Sequence, residues 1–220
     1  MVDIGSFGKD NDANIYNQSV IGKRFATGAF HIPESEIVHG HELPYVIVSD
    51  EIFALKTYLM KPYPGNALTE SRRVFNYRLS RCRRVIENTF GILSARWRIF
   101  RRPIKAKPCN VDNIVKACIC LHNYLRLTEH AQYVPQGFVD AEDNSGNIVP
   151  GHWRAIVEDD DGGMAHLRQR VNRYGRDAKE TRIKFEEYFN SEEGSVPWQL
   201  KYVRSCGESF AHALYYKRKN

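Results

Sequence analysis

No apolar run in the sequence approaches a membrane span; the longest, such as YVIV at 45–48, fall far short of the roughly 20 residues a bilayer crossing requires. Cysteine is sparse and unpatterned. The five (Cys82, Cys109, Cys118, Cys120, Cys206) form an odd set without framework spacing, which argues against a disulfide scaffold and reads as reduced thiols of the cytosol or nucleus. No internal repeat is present, so solenoids and arrays are excluded. The most informative scarcity is local. Between Ser71 and Lys107 the only acid is Glu87, among Arg72, Arg73, Arg78, Arg81, Arg83, Arg84, Arg96, Arg98, Arg101, Arg102, Lys105 and Lys107.

At 220 residues the chain is long enough for one substantial domain, or a domain with appendages. Its net charge is +6. Because the stretch from Glu70 to Lys107 opposes twelve Lys and Arg to two acids, the remainder is net acidic. A basic charge this local is the footprint of a polyanion site, where Lys and Arg displace counterions from phosphates; a solvated helix face would read the same way.

Along the chain, MVDIGSFG reads as a strand end entering a glycine turn, and DNDANIYNQSVIGK as a short helix capped by Asp or Asn. HIPESEIVHGHE is expected as a polar loop. LPYVIVSD is a β-branched run that presents Asp50 at a strand tip, where α/β proteins open their ligand crevices, or as the cap of a following helix. EIFALKTYLMKPYPG is expected as a short helix stopped by Pro62, Pro64 and Gly65. From Thr69 a long helix is predicted, with Phe75, Leu79, Cys82, Ile86, Phe90, Leu93 and Trp97 as its apolar stripe. Asn110 is expected to cap a second helix bearing Val111, Ile114, Val115, Cys118, Leu121, His122 and Leu125 on one face. Residues 128–164, rich in Gly, Asp, Asn and Glu, read as an acidic flexible loop or linker, and 165–220 as a helical segment with a basic tail ending in KRKN.

Glu87 lies beside the apolar stripe and shares its face with Ser80, Arg83, Arg84, Gly91 and Ser94. A surface ion pair with Arg83 or Arg84 is one reading, worth only about 0.2–0.5 kcal/mol. The other is a metal-binding acid in a phosphate site, with Gly91 admitting a backbone or ligand. Phosphodiester chemistry needs acids that hold divalent cations, and Mg²⁺ is satisfied by a few carboxylates on separate elements. Asp50 is the natural companion. Cys118 and His122, one turn apart, lack a second pair for zinc and read as buried core. His31, His39 and His41, near Glu34, Glu36 and Glu42, read as polar surface. Trp97 and Phe100 interleave with Arg96, Arg98, Arg101 and Arg102, which are candidate phosphate contacts.

In order and spacing, IVSDEIFALKTYLMKPYPG, FNYRLSRCRRVIENTFGILSARWRIFRRPI and IVKACICLHNYLR resemble the DDE domain of Harbinger/PIF-type transposases and their domesticated derivatives. VDIGSFGKDNDANIYNQS looks like the family's glycine turn and Asp-headed helix, and KFEEYFNSEEGSVPWQ like a C-terminal segment of animal members. The resemblance implies an α/β, ribonuclease-H-like fold, here incomplete with its first strands missing, and a helical C-terminal extension. It divides the chain into a partial endonuclease domain (1–127), the acidic segment (128–164) and the C-terminal segment (165–220). By position, Asp50 and Glu87 match the second and third catalytic, metal-binding acids, and Asp12 a further family acid. Mg²⁺ or Mn²⁺ is the implied cofactor. DNA is the implied partner, contacted by Arg83, Arg84, Arg96, Arg98, Arg101 and Arg102, in the nucleus or also the cytoplasm, with a protein partner supplying DNA binding. The first triad Asp and the helix-turn-helix segment are expected upstream of residue 1, since Asp3 matches a position beyond the second strand. Weak metal binding and little cleavage are therefore expected of residues 1–220 alone, with a non-catalytic DNA- or protein-binding remnant as the alternative.

Overall fold

The structure is a computed structural model that describes residues 2–5, 11–157 and 175–205. In chain order its elements are α1 (Asp12–Gln18), α2 (Val20–Ala26), β1 (Glu36–Val38), β2 (His41–Leu43), β3 (Ile47–Val48), β4 (Leu59–Met60), α3 (Glu70–Arg96), a 3-10 turn (Arg98–Arg101), α4 (Pro108–Thr128), α5 (His130–Tyr133), β5 (Ala141–Glu142), β6 (Ile148–Val149), α6 (Trp153–Val157), α7 (Arg176–Asn190) and α8 (Gln199–Ser205). This is a mixed α/β chain in which helices dominate and the described strands pair in three two-stranded sheets. Two compact units emerge. Among described residues, one holds 11–83 and 175–205 and the other 2–5 and 84–157, with the boundary inside α3.

In the first unit, the Asn11 side chain accepts the Asn14 amide at 2.8 Å and caps α1, as the sequence predicts. The Ser19 hydroxyl then joins two helices, donating to the Tyr16 carbonyl at 2.7 Å and accepting the Gly22 amide at 2.8 Å. A β-carbon at Gly22 would lie 1.9 Å from the Tyr16 carbonyl oxygen, so this tight joint requires glycine. The stretch expected as a polar loop is a β1–β2 hairpin, and both of its turn residues, His39 and Gly40, have positive φ. Such a pair matches the twist of a two-residue hairpin turn.

β3 pairs in parallel with β4, Ile47 opposite Leu59 and Val48 opposite Met60. Residues 51–65 are thus turn and strand, correcting the short helix expected there. The physical reason is local: Lys61 and Tyr63 each precede a proline, and a residue before proline is biased to extended backbone. Asn76 of α3 then pairs with that extended chain, accepting the Tyr63 amide at 2.7 Å and donating to the Tyr63 carbonyl at 3.0 Å. Leu55, Met60, Tyr63, Phe75, Leu79 and Ala178 form the unit's main core, and Val74, Tyr77 and Val203 a second cluster beside Trp198 and Tyr202.

In the second unit, α4 is capped at Lys107 and not at the expected Asn110, and starts at Pro108, because proline suits the first helical turn, where its missing N–H costs nothing. Residues 128–157, read from composition as loop, carry α5, the β5–β6 hairpin and α6. They are held by single large anchors. Tyr133 and Phe138 are buried with Ile92 and Ala95, and Trp153 packs against them. The end of α3 is closed by Arg101, whose guanidinium donates to the Ser94 carbonyl at 3.0 Å and the Ala95 carbonyl at 2.6 Å.

Candidate functional site: carboxylates and arginines

Asp50 stands just beyond β3, at its C-terminal end, and is half-buried. Its Oδ1 accepts the Ile52 amide at 3.0 Å in a side-chain-closed turn, and no helix follows for it to cap. The strand beneath is fixed by Ser49, whose hydroxyl donates to the Met60 carbonyl at 3.2 Å. One residue on, the Glu51 carbonyl accepts from the ammonium of Lys61, a lysine buried in the first unit. Burying a lysine is costly unless it is partnered. Its placement puts a cation at the Asp50–Glu51 turn, which sequence reading missed because Lys61 lies between apolar residues and prolines with no charged neighbour to flag it.

Glu87 lies in the second unit, part-exposed on α3. Its helix neighbour Arg84 pairs with Glu142 of β5 at 3.1 Å, both side chains nearly buried. The next residue, Asn88, donates to the Asp140 carbonyl at 3.1 Å and accepts both the Asp140 amide and the Trp153 indole N–H at 3.0 Å. The space above Gly91 is filled. A β-carbon there would meet the Trp153 ring at 2.4–2.5 Å, so the small residue admits an indole of the same unit. Asp140 itself is buried against Arg154 and the Gly151 amide at 2.8 Å. Burial would raise its pKa, but Arg154, the Gly151 amide and Arg84 together hold it below the usual carboxylate value.

Three of the candidate phosphate-binding arginines hold the fold through their guanidinium groups. Arg96 donates to the Tyr133 carbonyl and, at 3.3 Å, to the Gln132 carbonyl, and lies 4.4 Å from the centroid of the Phe138 ring. Arg101 closes α3, and Arg84 holds Glu142. Arg98 and Arg102 are exposed, as are Lys105 and Lys107, while Arg83 is part-exposed. Asp12 is exposed in the first turn of α1, where a carboxylate complements the helix dipole.

Cys118 and His122 are buried on α4, as expected from their place in the helix face. His122 Nδ1 meets the Tyr133 hydroxyl at 3.0 Å, and the same hydroxyl accepts the Trp97 indole N–H at 3.3 Å. Burial and nearby Arg126 lower the His122 pKa. Of the loop histidines, His41 packs edge-on to Tyr188, with ring centroids 5.5 Å apart. Among the described residues, no three His, Cys, Asp or Glu side chains converge into a metal cage. Oxygen donors such as those of Asp50 and Glu87 suit a hard divalent cation.

A family model described as DDE superfamily endonuclease matches residues 1–123, a span that includes Asp12, Asp50 and Glu87. The chain belongs to this family, and the matched region is a transposase-derived nuclease domain. Members of the superfamily generally use divalent metals. No curated protein and no solved structure matches the chain. No described helix is long and apolar enough to cross a membrane.

Proposed function

We propose that this chain provides two acids and a phosphate-binding surface of a metal-dependent DNA endonuclease with a ribonuclease-H-like, Harbinger/PIF-type core. The observation that carries this reading is the family match, which runs through both Asp50 and Glu87. The placement of Asp50 at the C-terminal end of a parallel strand supports it. Asp50 and Glu87 would hold Mg²⁺ or Mn²⁺, which when bound supplies charge stabilisation and activates water for attack on a phosphodiester. Arg83, Arg98 and Arg102, with Lys105 and Lys107, would grip the flanking phosphates. Arg84, Arg96 and Arg101 would contribute mainly by fixing the fold on which those cations sit. A protein partner would supply further DNA binding, in the nucleus.

A plasmid-nicking assay with Mg²⁺ or Mn²⁺ tests this. Residues 1–220 are expected to cleave slowly, with that cleavage abolished by Asp50→Ala and by Glu87→Ala. Cleavage that survives both substitutions would overturn the assignment. DNA affinity should fall with salt at a log–log slope of about −0.9 per phosphate neutralised, and Arg98→Ala and Arg102→Ala should each reduce that slope by about 1. The exposed cations Arg98, Arg102, Lys105 and Lys107 also suit a second reading, a non-catalytic DNA-binding remnant. It would be established by a steep salt slope without nicking, and a flat slope would remove DNA from both.

A further inference from the structure

The first unit contains an open cleft of about 650 Å³ whose walls include Pro33, Pro44, Tyr45 and Tyr58, with Glu34, Glu42 and Lys184 among its polar lining. Its chemistry differs from that of the basic helix. The Tyr45 hydroxyl is held by the Glu36 carboxylate, which fixes a ring that remains 43% exposed. Tyr58 is backed by Phe25, the ring centroids 5.8 Å apart and the planes nearly parallel. Two anchored aromatic rings and two prolines give the open, largely polar cleft rigid walls that do not have to order when a ligand arrives. Around them stand Glu34, Glu36 and Glu42. The cation in the lining, Lys184, lies 3.1 Å from Glu42 in a pair whose side chains are about half exposed. Such an exposed pair is weak, so an incoming cation can replace Lys184 at little cost.

We propose that this cleft is a docking groove for an extended, proline-containing basic segment of a partner protein. Proline-rich peptides arrive already in the polyproline II conformation and pack their rings between aromatic side chains, so little chain entropy is lost. The carboxylates select the sign of the flanking charge and disfavour nucleic acid phosphates, which makes the cleft separate in kind from the arginine surface. The proposal is independent of the nuclease reading, because it requires neither Asp50 nor Glu87.

Fluorescence anisotropy of the full chain with a labelled Arg-Pro-Pro repeat peptide provides the test. The peptide should bind, an Arg-Gly-Gly repeat of equal charge should bind at least about tenfold more weakly, and a Glu-Pro-Pro repeat should not bind. Tyr45→Ala should weaken the first peptide about tenfold, whereas Tyr45→Phe, which keeps the ring and loses its anchor to Glu36, should weaken it less. Should Tyr45→Ala disturb the fold, Glu34→Lys at a solvent-exposed position gives the same reading through charge, with an expected loss of binding. Equal affinity for the proline and glycine peptides, absence of binding by the first, or full affinity in Glu34→Lys would overturn the proposal. A loss of oligothymidylate binding in Tyr45→Ala without loss of peptide binding would assign the rings to base stacking instead.

Discussion

The two halves of α3 use one polar device in different apolar settings. Toward the N-terminal end, Asn76 closes both of its amide bonds on the backbone of Tyr63, beside Val74 and Phe75, which are fully buried. Toward the C-terminal end, Asn88 does the same to the backbone of Asp140. Yet Val85, Ile86 and Phe90, the residues around it, are 71%, 49% and 62% exposed. An asparagine on a helix can thus dock an extended segment whether or not the neighbouring stripe is covered. The apolar pattern marks a stripe along a helix. It does not announce where along the helix a neighbour is found.

This contrast is broken or sharpened most sharply by truncating the aromatic residue in each half. Phe75→Ala should cost about 3–5 kcal/mol in urea unfolding, and Phe90→Ala less than about 0.5 kcal/mol. Equal losses would show that Phe90 is covered in solution. Removing the docking amides comes next. Asn76→Ala and Asn88→Ala should each cost about 1–3 kcal/mol, since each leaves backbone polar groups without partners. Hydrogen exchange should report the loss at 61–64 in the first variant and at 138–153 in the second; a swap of those regions would contradict the docking scheme.

Gly91→Ala should be destabilising by up to about 2 kcal/mol, because the strain against Trp153 outweighs the roughly 1 kcal/mol of helix propensity gained. A rise in melting temperature would mean that the indole moves aside freely. The smallest effect is the pH dependence of the second half. His122 has a folded pKa below its ordinary value of 6.5, so the unfolded chain binds the proton more readily. The stability due to His122 is complete above about pH 6.5 and is lost as pH falls through the folded value. His122→Gln should flatten that part of a melting-temperature profile, and an unchanged profile would place the titration elsewhere.

Much of this was legible where periodicity or capping chemistry acts locally. The Asn11 cap, α3 and the strand before Asp50 all follow from the residues themselves. The same is true of burial at Cys118 and His122, which lie on the inward face of a regular helix. The stretch at 51–65 misled because its apolar density suits a helix as well as a buried strand, and the two pre-proline positions were the deciding signal. Residues 128–157 were opaque for another reason. Tyr133, Phe138 and Trp153 are isolated anchors amid polar sequence, and anchors without a period leave no pattern. Gly91 is expected from sequence to admit a backbone or a ligand, and an indole occupies the space instead, because nothing near it in sequence names Trp153. For the site, the sequence singled out Asp50 and Glu87 as acids, whereas the structural duties of Arg84, Arg96 and Arg101 required the coordinates of their carbonyl and carboxylate partners.

The Tyr133 hydroxyl adds something further about the second unit. It accepts the Trp97 indole N–H and meets Nδ1 of His122 at 3.0 Å, so indole, phenol and imidazole form one connected chain of hydrogen bonds. The direction of the last link follows the His122 tautomer: the phenol donates when Nδ1 is bare and accepts when Nδ1 carries hydrogen. An NMR measurement of the His122 ring nitrogens would therefore read the junction of the 3-10 turn, α4 and α5 from one side chain.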